Sequence, residues 1–181
     1  MIAPSLLGRA LIGVGLMLLP FSHAAAQTDG ASACAPDRAI FGTASGPLAF
    51  EVEVADDAAE RAQGLMNREE LPTRTGMLFI YETPQPVAFW MRNTLIPLDM
   101  VFMDETGVIR HIHENAIPHD ETPIPGNTPD DSDPDRLMVL EIAGGDAARL
   151  GLAEGQAMAH PGLDQDAAAA PCGEGFPAPA D

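Results

Sequence analysis

The chain of 181 residues contains no lysine, and its nine arginines stand against 27 acidic residues, which gives a formal net charge of −18. Binding to phosphate backbones or to an anionic membrane surface depends on clustered Lys and Arg. The composition therefore disfavours nucleic acid as a partner. Aromatic residues make up only 5% of the chain and apolar residues 46%, which predicts a core built mainly from aliphatic side chains.

Cysteine is also scarce, because Cys34 and Cys172 are the only two in the chain. Without a C-x-x-C arrangement, a zinc or redox role has little support. In an oxidising compartment an isolated pair is typical of a disulfide. Two interpretations stay open at this point: a bridge that ties the two ends of the domain together, or two cysteines in tails that pair poorly.

The N-terminus has the pattern of a secretory signal peptide over residues 1–26. Arg9 precedes an apolar run over residues 10–21, and small residues end the segment at Ala26. The run is too short to cross a bilayer, which needs about 20 apolar residues. We expect cleavage after about Ala26, a periplasmic or secreted protein, a flexible mature segment over residues 27–38, and no stable membrane insertion after cleavage.

Short strands dominate the remaining pattern. Residues 48–54 (LAFEVEV) alternate between apolar and polar, and Asp57 is placed to cap a helix over residues 58–65. Further strands are predicted over residues 77–81, 87–91, 98–103, 108–114, 136–142 and 156–159, and a short helix over residues 146–150.

This order of elements favours a mainly β fold, an antiparallel sandwich or barrel with one or two short helices. We expect a single domain over residues 39–160, large enough for a stable monomer. The Ala, Pro and Asp composition of residues 161–181 predicts a disordered acidic tail.

The most distinctive stretch is FWMRNTLIPLDMVFMDETGVI, which begins at Phe89. ERAQGLMNREELPTRTGMLFIY precedes it and HENAIPHDETPIPG follows it. Over residues 39–159 the chain resembles the bacterial and archaeal family called domain of unknown function 192. The resemblance implies a jelly-roll-like β fold, often in an exported protein, and brings no established activity. The acidic segment over residues 127–135 departs from the family pattern.

Within this stretch, Trp90, Arg92, Asn93 and Thr94 are candidate ligand-binding residues. Strand alternation puts Trp90 on the side of Ala88 and Arg92, where it either packs under a loop or lines a cleft. Asn93 and Thr94 are equally suited to satisfying turn backbone.

Asp99 is a single carboxylate in an otherwise apolar run, so burial would require a partner for it. Arg92 or the turn at Asn93 and Thr94 is the partner that the sequence suggests. A structural anchor and a ligand-facing carboxylate both stay open.

His113 and Glu114 complete the candidate cleft as part of a polar rim. His111 and His113 share one face of a predicted strand, but no second pair of ligands supports a metal site. Asp131, Asp133 and Asp135 imitate the start of a calcium loop without its glycine and final glutamate. We therefore predict a solvated acidic loop, no metal and no cofactor.

No catalytic motif is recognisable, and three hypotheses follow. The leading one is an exported domain that binds a small molecule or peptide in a cleft near the FWMRNT-LIPLD motif. The second is an envelope hydrolase that uses Asp99, Glu114 or His113 as acid or base. The third is an envelope protein-interaction or assembly factor.

Overall fold

The computed structural model describes residues 34–174 and Phe176. The predicted signal peptide and the mature segment as far as residue 33 lie outside the described residues. Among the helices of the described part, none is long and apolar enough to cross a membrane.

Nine strands and two short helices follow one another in the described residues. They are β1 (Arg38–Thr43), β2 (Gly46–Ala55), α1 (Ala58–Gln63), β3 (Thr75–Pro86), β4 (Ala88–Phe89), β5 (Leu98–Met103), β6 (Ile109–Ala116), β7 (Ile124–Pro125), β8 (Asp135–Ala143), α2 (Asp146–Leu150) and β9 (Met158–Ala159). The predicted mainly β class with one or two short helices is confirmed.

Seven strands form one curled sheet in the order β6-β5-β8-β3-β2-β1-β9, and β4 pairs with β7 in a small second sheet. An isolated bridge between Val108 and Ala157 joins the two ends of the large sheet. One pairing departs from the predicted antiparallel pattern, because β2 and β3 run parallel. The segment between them contains α1 and returns the chain towards the end of the sheet where β2 begins. A parallel pair requires such a crossover connection.

The large sheet has an apolar core on each face. On β5, Val101 and Met103 belong to one cluster of buried side chains, while Met100 and Phe102 belong to the other. The second cluster is covered by the small sheet and by Leu65, which follows α1. Burial on both faces explains why β5 is apolar throughout apart from Asp99.

The acidic segment over residues 127–135 is organised around an arginine rather than simply solvated. Arg136 is fully buried and donates hydrogen bonds to the carbonyl oxygens of Gly126, Asp133 and Asp135 and to the carboxylate of Asp131. The backbone N–H of Asp133 and the Arg136 guanidinium both hold the pKa of Asp131 below its usual range. In the loop that resembles the start of a calcium site, the Arg136 guanidinium is therefore the cation that the oxygen atoms bind.

The C-terminal segment differs from the prediction of a disordered tail as far as it is described. Leu163 and Ala170 are buried, and the backbone N–H of Ala169 donates to the carbonyl of Thr106 at 2.9 Å. The Sγ atoms of Cys34 and Cys172 are 2.06 Å apart, a disulfide distance. Composition alone missed this because the few apolar residues of the segment pack against the domain instead of forming a core of their own. Residues 175 and 177–181 lie outside the described part.

Candidate functional site

A small pocket lies on the face of the large sheet that the small sheet covers, and it encloses about 40 Å³. It is lined by residues 61–66, Phe79, Phe89, Trp90, Arg92, Thr94 and Glu141. Pockets for drug-sized ligands are commonly about 300–1,000 Å³. This pocket can therefore take one functional group of a ligand and not a whole small molecule.

Glu141 is placed in the pocket by the alternation of β8. Leu140 and Ile142 face one core cluster, so Glu141 faces the other, on the same side as Val139. Its side chain is almost completely buried, with 5% of the residue exposed, and Oε2 has no hydrogen-bond partner among the described residues. A carboxyl group thus occupies a position where the strand pattern calls for an apolar side chain.

Burial raises the pKa of Glu141 to about 8, although a hydrogen bond from the backbone of Leu65 acts in the opposite direction. At pH 7 the group is therefore mostly protonated and neutral. A neutral carboxyl group has one O–H donor as well as acceptor capacity. Glu141 can accordingly donate a hydrogen bond to a group that enters the pocket.

Gly64 keeps the space beside this carboxyl group open. Its φ of +48° lies in the left-handed region, which favours glycine. A Cβ atom at this position would lie 3.3 Å from the ring of Phe79 and 3.8 Å from Oε2 of Glu141. The glycine that ends α1 therefore also shapes the pocket wall.

Arg61 forms another part of the wall and is held in place by its neighbours. Its guanidinium donates to the carbonyl oxygens of Asp56 and Ile80 and to Glu82, and it lies 5.1 Å from the ring centroid of Tyr81. The pKa of Tyr81 is raised mainly by burial, while the charge of Arg61 lowers it and that of Glu141 raises it. Arg61 is thus already neutralised by Glu82 before any ligand binds.

Trp90 and Arg92 form the outer rim. Val87 and Met91 are buried while Ala88, Trp90 and Arg92 are exposed, as the alternation of this segment predicts. Trp90 is 49% exposed, and the guanidinium carbon of Arg92 lies 5.8 Å from its ring centroid. Of the two interpretations of Trp90, the structure has the side chain at the mouth of a pocket.

Asn93 and Thr94 connect this rim to the loop after α1. Asn93 has a φ of +55°, and its carbonyl oxygen accepts a hydrogen bond of 2.8 Å from the backbone N–H of Asn67. Its Nδ2 lies 3.8 Å from Sδ of Met66. Thr94 is buried and lines the pocket. The turn therefore joins the two walls, and only Thr94 of this pair lines the pocket.

Asp99 lies away from this lining, on β5 beside the edge strand β6, and is fully buried. Its Oδ1 accepts hydrogen bonds from the backbone N–H groups of Asn115 and Gly145, and its Oδ2 accepts one from Ala147. The partners differ from the expected Arg92 and Asn93–Thr94 turn, because the sheet brings β6 and the start of α2 to this position. The carboxylate is used as a structural anchor.

His113 and Glu114 lie on β6 and do not line the pocket. His113 is half-buried and opposite Met100 in the sheet, while Glu114 is exposed. The neighbouring His111 lies 3.3 Å from a carboxylate oxygen of Glu154. Across residues 34–174 no group of three potential metal ligands is close enough to hold an ion. The structure therefore brings Trp90, Arg92 and Thr94 together and separates them from Asp99, His113 and Glu114.

Of the pocket lining, residues 61–66, Phe79, Phe89 and Glu141 are not among the candidates that the sequence suggests, and Glu141 carries the unpartnered polar atom. The available signal was a single charge in the apolar run of β8, LMVLEIA. That signal is the same in kind as the one that drew attention to Asp99. Only the neighbouring strands decide which of these two carboxyl groups meets backbone donors and which meets a pocket.

The fold and the site define a small β-domain in which a buried carboxyl group, with one oxygen unpartnered among the described residues, lines a pocket. The chain belongs to the DUF192 family, described as uncharacterized ACR, whose pattern matches residues 40–160. No curated protein matches the chain with significance.

Two solved structures resemble the chain over most of their own length. One is from Sinorhizobium meliloti 1021 and is described as a "putative transcription regulator"; it is 41% identical, with 72% of this chain and 98% of that chain covered, at a TM-score of 0.64. The other is a protein of unknown function from Novosphingobium aromaticivorans DSM 12444. It is 40% identical, with 72% and 93% of the two chains covered, at a TM-score of 0.62.

Proposed function

We propose that this protein is an exported binding domain that holds a small polar group of a small molecule or peptide in the pocket beneath Trp90. The observation that carries the proposal is the unpartnered, buried Oε2 of Glu141 at the base of that pocket. Burying a polar atom without a partner costs about 1–3 kcal/mol. An apolar residue at this position would avoid the cost, so a role for the carboxyl group outside stability explains its presence.

The rim of the pocket suits a binding role. Trp90 presents about half of its surface to solvent, and an aromatic face beside a directional polar group is a common arrangement in ligand sites. Arg61 and the turn at Asn93 hold both walls in place through hydrogen bonds. Binding to a preformed site of this kind needs little ordering of side chains.

Export is part of the proposal and is supported by the signal-peptide pattern of residues 1–26 and by the disulfide distance between Cys34 and Cys172. The protein is isolated from the extracytoplasmic fraction of cells that produce it naturally. N-terminal sequencing is then expected to find a chain that begins near Gln27. An unprocessed chain in the cytosol would count against export and would leave the pocket proposal intact.

Nucleic acid is not part of the proposed function, despite the description of the S. meliloti relative. The net charge of −18 opposes binding to a polyanion. Five of the described arginines also pair with carboxylates of the same chain, namely Arg61, Arg68, Arg110, Arg136 and Arg149. Little positive charge is then left for phosphate contacts.

Trp90 is the only tryptophan, so its fluorescence reports directly on the pocket mouth. We expect a panel of short peptides, acylated amino acids, carboxylic acids and sugars to contain compounds that change this fluorescence and raise the melting temperature. Glu141→Leu should weaken the binding of such a compound by at least about tenfold, because the loss of one buried hydrogen bond is worth about 1.4 kcal/mol or more.

Glu114→Gln is the matched control, since it removes a carboxylate on β6 outside the pocket, and it should leave the affinity unchanged. Equal binding by the parent protein and Glu141→Leu would contradict the proposal. So would a panel in which no compound alters fluorescence or melting temperature.

A further inference from the structure

We propose that the group bound beside Glu141 is the carbonyl of an amide and that the same ligand carries a carboxylate that pairs with Arg92, as the C-terminal end of a peptide does. This inference rests on the proposed function, since it names the chemistry that the same pocket would select. The shared chemistry, an acylated amino acid with a free carboxylate, also occurs in free N-acyl amino acids.

The inner part of the pocket favours a neutral acceptor. Glu141 is buried among Phe79, Leu65 and the turn at Gly64, where an ionised group is strongly disfavoured. Its neutral form presents an O–H donor, which an amide carbonyl accepts well. An anionic group at this depth would have no available cation, because Arg61 is already paired with Glu82 at 2.9 Å.

The outer part of the pocket favours a carboxylate. Arg92 forms no ion pair with any of the described residues, although the chain has three acidic residues for every arginine. Its guanidinium lies over the ring of Trp90. A guanidinium that contacts a ring and has no ion pair keeps N–H donors for a ligand, and its fork of donors matches a carboxylate in a bidentate pair.

The exposed apolar side chains on the segment of Trp90 and on the segment hydrogen-bonded to it favour a peptide over a smaller compound. The large apolar side chains that are exposed in the described part of the chain are Trp90, Leu95 and Ile117. They lie in two segments joined through Met91, whose N–H donates to the carbonyl of Asp120 at 2.8 Å and whose carbonyl accepts from the N–H of His119 at 3.0 Å. A chain that ends in the pocket would cover apolar surface on these segments with its preceding side chains.

The first experiment compares five probes by calorimetry and Trp90 fluorescence: N-acetylalanine, N-acetylalanine amide, N-acetylglucosamine, acetate and ethylammonium. N-acetylalanine should bind about tenfold more tightly than its amide and more tightly than acetate or ethylammonium. Arg92→Gln should abolish the preference for the free carboxylate over the amide. Arg74→Gln, which removes a positive charge outside the pocket lining, should retain the preference.

The second experiment separates the two sources. A peptide such as N-acetyl-Leu-Leu-Ala should bind about tenfold more tightly than N-acetylalanine, and Ile117→Ser should reduce that gain. Equal affinity for both would mean that the ligand is a free N-acyl amino acid, which overturns the peptide assignment.

Preferential binding of ethylammonium would overturn this inference while keeping the proposed function, because the pocket would then be a cation site with ionised Glu141. Binding of N-acetylglucosamine without any carboxylate preference would also overturn it and keep the function. If none of these probes binds, the inference is wrong, and the broader panel then decides separately whether the pocket binds anything.

Discussion

Asp99 and Ala147 are joined by a hydrogen bond of 2.8 Å from the backbone N–H of Ala147 to Oδ2 of Asp99, across 48 residues of sequence. Ala147 lies in the first turn of α2, whose N-cap residue Gly145 has no side chain to satisfy the free N–H groups. The Asp99 carboxylate on β5 therefore acts as the N-capping group of α2. The negative charge at the start of the helix is also favourable.

Asp99→Asn is expected to destabilise the protein by about 3 kcal/mol, because the amide NH₂ group cannot accept the hydrogen bonds that a carboxylate oxygen accepts. Urea unfolding monitored by circular dichroism measures the change. Glu114→Gln, an exposed control on the neighbouring strand, should stay within about 0.5 kcal/mol of the parent. A variant that keeps full stability but loses ligand binding would contradict the structural role and favour a ligand-facing Asp99.

Glu141→Gln is expected to stabilise the protein increasingly as pH rises from about 4.5 to about 8. The pKa of Glu141 is about 8 in the folded protein against an ordinary value of 4.5, so the unfolded chain releases the proton first in this range. The contribution of Glu141 to the free energy of unfolding is fully present below pH 4.5 and falls by about 1.4 kcal/mol per pH unit until the folded carboxyl also ionises.

Unfolding of the parent and of Glu141→Gln at a series of pH values measures this effect as a growing difference. A difference that stays constant between pH 5 and pH 8 would mean that the folded carboxyl is already ionised, and the pocket would then have no neutral donor.

His160 is expected to make the protein less stable as pH falls below about 6.5. Burial lowers the pKa of His160, and its Nδ1 accepts a hydrogen bond from the backbone N–H of Gly162 while Nε2 lies 3.0 Å from the carbonyl of Pro36. The unfolded chain therefore takes up a proton before the folded protein does, and stability is lost as pH falls towards the folded pKa.

His160→Gln should flatten this dependence between pH 7 and pH 5, whatever its effect on overall stability. Parent and variant curves with the same slope would show that His160 does not titrate differently in the two states. Because Glu141 acts in the opposite direction in this range, the comparison is best made in the Glu141→Gln background.

Reduction of the Cys34–Cys172 pair is expected to lower the free energy of unfolding by about 3–5 kcal/mol, since a link across 138 residues restricts the unfolded chain strongly. The double variant Cys34→Ser, Cys172→Ser should match the reduced parent, and its stability should not respond to reductant. Thiol titration in denaturant should find no free thiol before reduction and two afterwards. Two free thiols in the untreated protein would contradict the pairing.

Local patterns accounted for much of the secondary structure. The predicted strand over residues 98–103 and the helix over residues 146–150 have the observed bounds, and Asp57 caps α1 through the N–H groups of Ala59 and Glu60. The helix ends at Gln63, two residues before the predicted bound, and none of its residues is buried, while Leu65 beyond its end reaches the core. A helix of six residues is too short for its periodicity to be informative.

The structure brings together only part of the candidate site that the sequence suggests. The aromatic and arginine at positions 90 and 92 alternate with buried neighbours, and that local pattern pointed to the rim. The sequence assigns His113 and Glu114 to a polar rim of the same cleft, yet they lie on the edge strand β6, outside the pocket. The chain passes along β5 and returns on β6, so residues of β6 lie at a different part of the sheet from the segment that contains Trp90.

The sequence by itself determined the mainly β character, the capped helix, the family and the absence of lysine that sets the charge, because each depends on composition or on residues a few positions apart. Only the tertiary structure decided that Glu141 lies beneath Trp90 while Asp99 meets three backbone amides. The physical reason is strand order: β8 lies between β5 and β3, and this arrangement determines whether a buried carboxyl group faces hydrogen-bond donors or open space. No local pattern of side chains specifies those neighbours.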